Sequence, residues 1–450
     1  MQFEISSELI EKIRFLIEEN NNEEILLHLE DVHHADLAEI LTELSLEEAT
    51  YLIKLLDHEK TAEALIELDE DARERILQLL NPREIAQELE EMDTDDAADI
   101  ISELTPERQQ SVIAELVDEE HADHIVELLR YDEDSAGGLM AKELVKVNEN
   151  WSVTGCMTEM REQAENVTRV HSIYVVDDRN KLKGRLSLKD LLTAPSNSNI
   201  RDVYIPQVDY VNVHTEGEEV ARIMQKYDLE AIPVVDEMGR LVGRITIDDI
   251  VDFIKEEAEK DYQMASGISE SVEADTGLLR QTRARLPWLL IGMFGGLGAA
   301  SIINGFETIM TTFPKLLIFV PLIQATAGNV GVQSSAIVVQ GLANGTLKGN
   351  IFRRLFKEII LALVNGLSIA IIVFIISSFW FETSYNESVS IGIALMSVII
   401  IAASIGTLIP FMLDKNNIDP AVATGPFITT SNDIFGILTY FLIAKAILGF

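Results

Sequence analysis

Asp433 stands inside TTSNDIFGILTYF (429–441), within an apolar and small-residue run from Ala421 to Phe450. A carboxylate in the middle of a bilayer costs about 3 kcal/mol on insertion scales unless it faces water or a partner. This residue type in this place therefore points to a cation on a hydrophilic path. PLIQATAGNVGVQSS (321–335) breaks its apolar pattern in a similar way. Pro321, Gly328 and Gly331 loosen the helix, while Gln324, Asn329 and Gln333 bring amide oxygens to mid-membrane depth. Hydrocarbon tolerates such features only where they are buried in protein or line water, which makes Asn329 and Asn432 candidate path-lining residues beside Asp433. For the Gly, Ser and Thr residues, close helix packing is an equal account. Outside the membrane half, Asp249, Asp252, Glu256 and Glu259 are spaced three, four and three apart, so they form one acidic stripe, with Glu257 and Asp261 beside it. Carboxylates on successive helical turns repel each other. They are placed so either because the face is solvated or because cations sit between them.

The elements that must hold these residues divide sharply by composition. The 450 residues are enough for about three domains. Residues 1–280 carry 26 Lys and Arg against 68 Asp and Glu, whereas residues 281–450 carry 9 against 7. A strongly acidic half excludes nucleic acid, whose binding needs a basic face. It favours a positively charged partner, with cations the simplest; plain solubility is the competing account. The single cysteine, Cys156, allows neither an intrachain disulfide nor a thiolate zinc cluster and fits a reducing cytosol. MQFEISSELIEKIRF has no basic segment followed by an apolar core, so the first membrane span is expected to direct insertion.

Between residues 29 and 130 apolar residues recur every twelve positions: Leu41, Ile53, Leu65, Leu77, Leu89, Ile101, Ile113 and Ile125. A second register three residues on runs Leu44, Leu56, Leu68, Leu80, Met92, Leu104, Leu116 and Leu128. Breakers such as Asn81-Pro82 and Asp93-Thr94-Asp95 separate the units, which predicts a stack of short helices, an α-solenoid. His33, His34, His121 and His124 are too scattered for a metal site and read as exposed solenoid histidines. A second repeat lies 59 residues apart: IYVVDDRNKLKGRLSLKDLL from Ile173 and IPVVDEMGRLVGRITIDDIV from Ile232. Each copy predicts strand, turn, strand and the start of a helix. Gly184-x-x-Ser187-x-x-Asp190 in one answers Gly243-x-x-Thr246-x-x-Asp249 in the other. This pair resembles tandem CBS domains. The resemblance implies an adenosine nucleotide such as ATP at Ser187, Asp190, Thr246 and Asp249, with the aspartates on the ribose hydroxyls. The alternative is simple capping of the following helices, which needs no ligand. Val170-His171-Ser172 offers no aromatic ring for adenine stacking.

Residues 249–275 read as a long charged helix leading to the membrane. Five apolar stretches of spanning length follow, at about 286–310, 316–343, 359–381, 388–413 and 423–448. Arg280, Arg283 and Arg285 precede the first, and Lys348, Arg353, Arg354 and Lys357 separate the second and third; the loop with Glu382 and Glu387 has no basic residue. The positive-inside rule then puts residues 1–285 in the cytosol and the C-terminus outside. Five spans are few for an internal inverted repeat, so a path shared between two subunits is the natural arrangement.

The acidic helical repeat, the CBS-like pair, the acidic connecting helix and five spans, with PLIQATAGNVGVQSS in the second and DPAVATGPFITTSNDIFG entering the fifth, together resemble the MgtE family of magnesium transporters over essentially the whole chain. That resemblance implies a homodimeric Mg²⁺ channel of the plasma (inner) membrane, with Asp433 as the pore carboxylate. Cytosolic Mg²⁺ on Asp249, Asp252, Glu257 and Asp261, with Glu256 and Glu259 of the same stripe and Asp95 and Asp96 across a domain boundary, would close it. The residues support this independently. Mg²⁺ prefers six oxygens and keeps most of its water, so one or two carboxylates suffice, and two symmetry-related Asp433 side chains would share a proton unless a cation lay between them. The expected fold is multidomain: an all-α superhelical solenoid (1–132), an α/β tandem CBS pair (133–250), an acidic connecting helix (251–280) and an α-helical polytopic membrane domain (281–450). Two other readings stand beside it, a cation-coupled divalent-metal secondary transporter and a membrane-anchored CBS nucleotide sensor. No nucleophile with its base, phosphate loop or metal-hydrolase motif argues for an enzyme.

Overall fold

The computed structural model describes residues 5–449 apart from 165–166, 168, 171, 270–271, 273–275, 344–346, 348–350, 417 and 424, so His171 and Lys348 lie outside the described residues. The chain divides into two compact units, Met1–Lys255 and Glu256–Phe450.

The first unit begins with short helices: α1 (Ser7–Glu18), α2 (Asn22–Leu29), α3 (His34–Glu43), α4 (Leu46–Ile53), α5 (His58–Ile66), α6 (Glu70–Leu79), α7 (Pro82–Leu89), α8 (Thr94–Ser102), α9 (Pro106–Ile113) and α10 (Glu119–Leu128). The twelve-residue period is one helix plus its turn. Of its sixteen apolar positions all are buried except Ile113 and Leu116, which pack at the edge of the same core. The breaks are capped by the residues that interrupt the pattern. Ser45 and Asn81 each form a reciprocal capping box, with Glu48 and Glu84, and Pro82 occupies the first turn of α7.

Two three-stranded sheets follow. β1 (Val145–Asn148) pairs in parallel with β2 (Ile173–Val176), which pairs antiparallel with β3 (Leu182–Leu186), and helices α11 (Val153–Gln163) and α12 (Leu188–Thr193) flank them. The second copy repeats the order with β4 (Val211–Asn212), α13 (Gly217–Tyr227), β5 (Ala231–Val235), β6 (Leu241–Thr246) and α14 (Ile247–Ala265). The copies keep one register: Ile173 faces Leu186 as Ile232 faces Ile245, and both sheets shift register at the Val-Val bond, 175/176 and 234/235. Their hairpins also exchange backbone bonds, Leu182 N–H to Gly239 O (3.1 Å) and Leu241 N–H to Asn180 O (2.9 Å).

α14 ends at Ala265, earlier than the expected run to 275, because Gly267 turns left-handed (φ +80°) and the chain folds back. Gln263 clasps the returning chain, donating to Val272 O (2.9 Å) and accepting from Val272 N–H (3.0 Å). The second unit then contains α15 (Leu278–Gly305), α16 (Glu307–Thr312), α17 (Val320–Ala343), α18 (Ile351–Phe379), α19 (Tyr385–Asp414) and α20 (Pro426–Leu448). Among the described residues five helical segments are long and apolar enough to cross a membrane, one at each expected stretch. α19 is the most enclosed and packs on α17, α18 and α20.

Candidate cation sites

In the first unit, α8 begins with Asp93 as N-cap and carries Asp95 and Asp96 in its first turn, where a helix terminus favours negative charge. Glu143 comes in from the segment before β1. Its Oε2 accepts from Thr94 Oγ1 (2.9 Å) and Thr94 N–H (3.3 Å). One carboxylate oxygen each from Asp93, Asp95 and Glu143 lie within 4.8 Å of one another. Asp95 is 8% exposed, and its Oδ1 has no hydrogen-bond partner among the described residues. Asp249, at the start of α14, accepts from Thr246 N–H (2.9 Å) and Thr246 Oγ1 (2.5 Å) and acts electrostatically on Asp95 and Asp96. Arg244 reaches only 4.0 Å from Asp93 and donates to the Arg169 carbonyl.

Burial without enough compensating charge sets the acidities. It pushes Asp93 up to about 6, with Glu143 and Asp249 adding to it. It pushes Asp96 up to about 8, with Asp249 the next cause, and Asp95 well above the ordinary range, with Asp96 the next cause. Asp249 is raised as well, by burial first. All the donors are carboxylate oxygens, which is the set that suits a hard divalent cation. The fold thus brings Asp95, Asp96 and Asp249 together. It adds Asp93 and Glu143, which sequence reasoning missed; Asp93 had a signal, as the first acid of the DTDD run, and Glu143 had none.

The rest of the acidic stripe is placed differently. Asp252 is exposed on α14, and burial followed by Glu67 raises its pKa. Glu256, Glu257, Glu259 and Asp261 belong to the second unit; Glu257 pairs with Lys260 (2.6 Å). At the CBS-type motif Ser187 caps α12, accepting from Asp190 N–H (3.1 Å) and donating to Asp190 Oδ2 (2.6 Å). In the second copy the Thr246 hydroxyl likewise donates to Asp249, joined by the Thr246 N–H, so the side-chain bond recurs while the capping bond is seen at Ser187.

In the membrane unit the open side of α17 carries Asn329, Gln333 and Gln340 among Pro321, Ala325, Ala336 and Ile337. Asp433 on α20 is half-buried. Asn432 is not on an open face: it is 1% exposed, packed into the notch of Gly331, where a Cβ would lie 1.8 Å from its Nδ2. It stands about 100° around the helix from Asp433 and faces another element. Thr430 fills the matching notch of Gly295 on α15, and Gly406 on α19 lies against the Gly331 carbonyl. Small residues let these backbones approach closely. At the start of α20, Gly425 (φ +54°) is so near the end of α14 that a Cβ there would lie 2.2 Å from Ala265 O, and one on Gly267 would lie 2.5 Å from Pro426 Cγ.

Five helices long and apolar enough to span, one of them carrying a half-buried carboxylate, following an acid-rich half of the chain, define a polytopic membrane protein with a large acidic soluble part. Residues 32–134 match the MgtE intracellular N domain, 136–197 and 200–256 match the CBS domain, and 320–443 match MgtE, divalent cation transporter. The chain is 35% identical over 324 residues to the magnesium transporter MgtE of Thermus thermophilus (71% of this chain, 72% of the relative). It is 37% identical over 319 residues to that of Enterococcus faecalis (71% and 70%). Among solved structures it resembles the cytosolic domain of the Mg²⁺ channel MgtE in complex with ATP, at 36% identity and TM-score 0.52, covering 54% of this chain and 99% of that one. The soluble part of a magnesium transporter matches at 29% identity and TM-score 0.51, covering 56% and 98%. The chain belongs to the MgtE family of magnesium transporters, which is not an enzyme family.

Proposed function

We propose that this protein moves Mg²⁺ across the plasma membrane along a path lined by Asp433 and Asn329, and that Mg²⁺ bound in the cytosol closes that path. The observation that carries the reading is α14. It bears Asp249 at one end, among buried carboxylates short of positive charge, and its last residue lies against Gly425 at the mouth of the helix that holds Asp433. Filling the acidic cluster with Mg²⁺ fixes the first end of this helix, and a fixed α14 holds the mouth of α20. Closure requires that Mg²⁺ bind the closed arrangement more tightly than the open one. Asp252, Glu256, Glu257, Glu259 and Asp261 extend the same stripe. One path carboxylate per chain favours two copies around a two-fold axis. The basic residues flanking the spans favour cytosolic N-terminal domains and an external C-terminus. A structural relative crystallised with ATP supports an adenosine nucleotide at the CBS-type pair, with Ser187 and Asp190 the accessible candidates.

Mg²⁺ flux into proteoliposomes tests the path. Asp433→Asn and Asp433→Ala are expected to abolish flux while leaving folding intact, because removing a charge from a spanning helix does not oppose its insertion. Normal flux through the Asn variant would remove Asp433 from the path, and full conduction by a species of monomer mass would end the two-copy reading.

A further inference from the structure

Glu358 lies on α18 at the start of its apolar stretch and is 7% exposed. Two donors meet its carboxylate: Ser334 Oγ on α17, at 2.8 Å, and the guanidinium of Arg354, one turn earlier on α18, at 3.2 Å. Ser334 is itself 3% exposed. α17 and α18 both pack extensively on α19 and make little direct contact with each other. The Ser334–Glu358 bond is thus a polar tie between two helices that share little apolar packing. Its acceptor is charged, which strengthens it, and the pair sits where few waters compete for either partner.

The tie falls on the helix that carries the open polar stripe. Gln333 precedes Ser334 and so points about 100° away around the helix, with Asn329 one turn further along the same open side. Holding Ser334 inward toward Glu358 therefore fixes the direction in which Gln333 and Asn329 face. We propose that Glu358 is a positioning residue for transport: through Ser334 its carboxylate sets the rotation of α17 and keeps Asn329 and Gln333 turned toward the ion path. Arg354, one turn earlier on the same helix, pairs with the second carboxylate oxygen. The proposal rests on the reading of α17 as a wall of that path.

The test uses the full-length protein in proteoliposomes. Glu358→Ala and Ser334→Ala are each expected to lower Mg²⁺ flux by about ten-fold, the scale of one lost charge-assisted hydrogen bond. Glu358→Gln alone strands the Arg354 charge and is impaired as well. The double variant Arg354→Gln/Glu358→Gln removes both charges yet leaves an amide carbonyl to accept from Ser334, and it is expected to recover most of the flux. A second measurement does not depend on flux. In a Cys156→Ser background, a water-soluble thiol reagent is expected to label Asn329→Cys and Gln333→Cys, and adding Glu358→Ala is expected to reduce that labelling in protein that still elutes as a single folded species. Wild-type flux in Glu358→Ala, unchanged labelling, or a double variant no better than Glu358→Ala would each overturn the proposal. Normal conduction by Asp433→Asn would remove the path reading instead, while the labelling still reports on what Glu358 does to α17.

Discussion

On the proposed reading, a proton and a divalent cation compete for the same oxygens at Asp93 and Asp96. Both carboxylates titrate above their ordinary range in the folded chain, at about 6 and about 8. Between the unfolded value near 4 and those folded values the native state holds more protons than the unfolded one, so stability is fully present below about pH 4 and is lost as pH rises toward 8. Mg²⁺ needs the ionised forms, and its stabilising effect runs the other way. Thermal unfolding of the full-length protein without divalent ions is expected to show the soluble unit melting lower at pH 8 than at pH 5.5. Mg²⁺ should raise the melting temperature more at pH 8, and Asp96→Asn should shrink that difference; a Mg²⁺ effect independent of pH would refute the assignment. Asp95, Asp96 and Asp249 were legible in the sequence because acids at helical spacing declare a stripe and DTDD declares a charged helix start. Glu143 was not, because its place in the cluster depends on a fold that brings together residues 93, 143 and 249, and no local spacing encodes that.

For whole elements, legibility followed periodicity. The solenoid could be read because one repeat equals one helix and its turn, and the CBS-type pair because each hairpin occurs twice. What the period does not carry is how helices are tied across repeats. His34–Glu63 (2.5 Å), His58–Glu88 (2.7 Å) and Lys54–Glu84 (2.9 Å) join residues 29 or 30 apart, and Arg73 grips Glu103 in the same way. The end of α14 was misjudged for a related reason: its charge pattern continues past the helix, whereas the stop is set by a single glycine. In the membrane the glycine notches make a graded prediction. Gly406→Ala would place a Cβ 2.4 Å from a backbone oxygen that cannot rotate aside, Gly331→Ala would meet the Asn432 side chain, and Gly296→Ala would enter open space. Overpacking costs about 1–3 kcal/mol. Melting in detergent is expected to fall most for Gly406→Ala, less for Gly331→Ala and hardly at all for Gly296→Ala; any other order would contradict the close three-helix contact.

Over the whole molecule the two parts differ in charge as much as in solvent: the chain's formal net charge of −40 is the sum of −42 on residues 1–280 and +2 on residues 281–450. Such self-repulsion opposes compaction and is screened only partly by monovalent salt. α14 is the covalent link between that charged body and the bundle, nineteen residues or about 28 Å of uninterrupted helix. A helix acting as a rigid rod would transmit more than a push or a pull: it would also set an angular phase between what binds at one end and what is held at the other. One alanine inserted between Asp252 and Ala265 would turn one end against the other by about 100° and lengthen the rod by only about 1.5 Å. Mg²⁺ should then still protect the soluble half of that variant from protease, yet flux should no longer fall as Mg²⁺ rises. Seven inserted alanines bring the phase back to within about 20° at the expense of about 10 Å of length. If seven restore closure, the gate answers to torsion; if neither insertion disturbs it, α14 is a tether and not a crank.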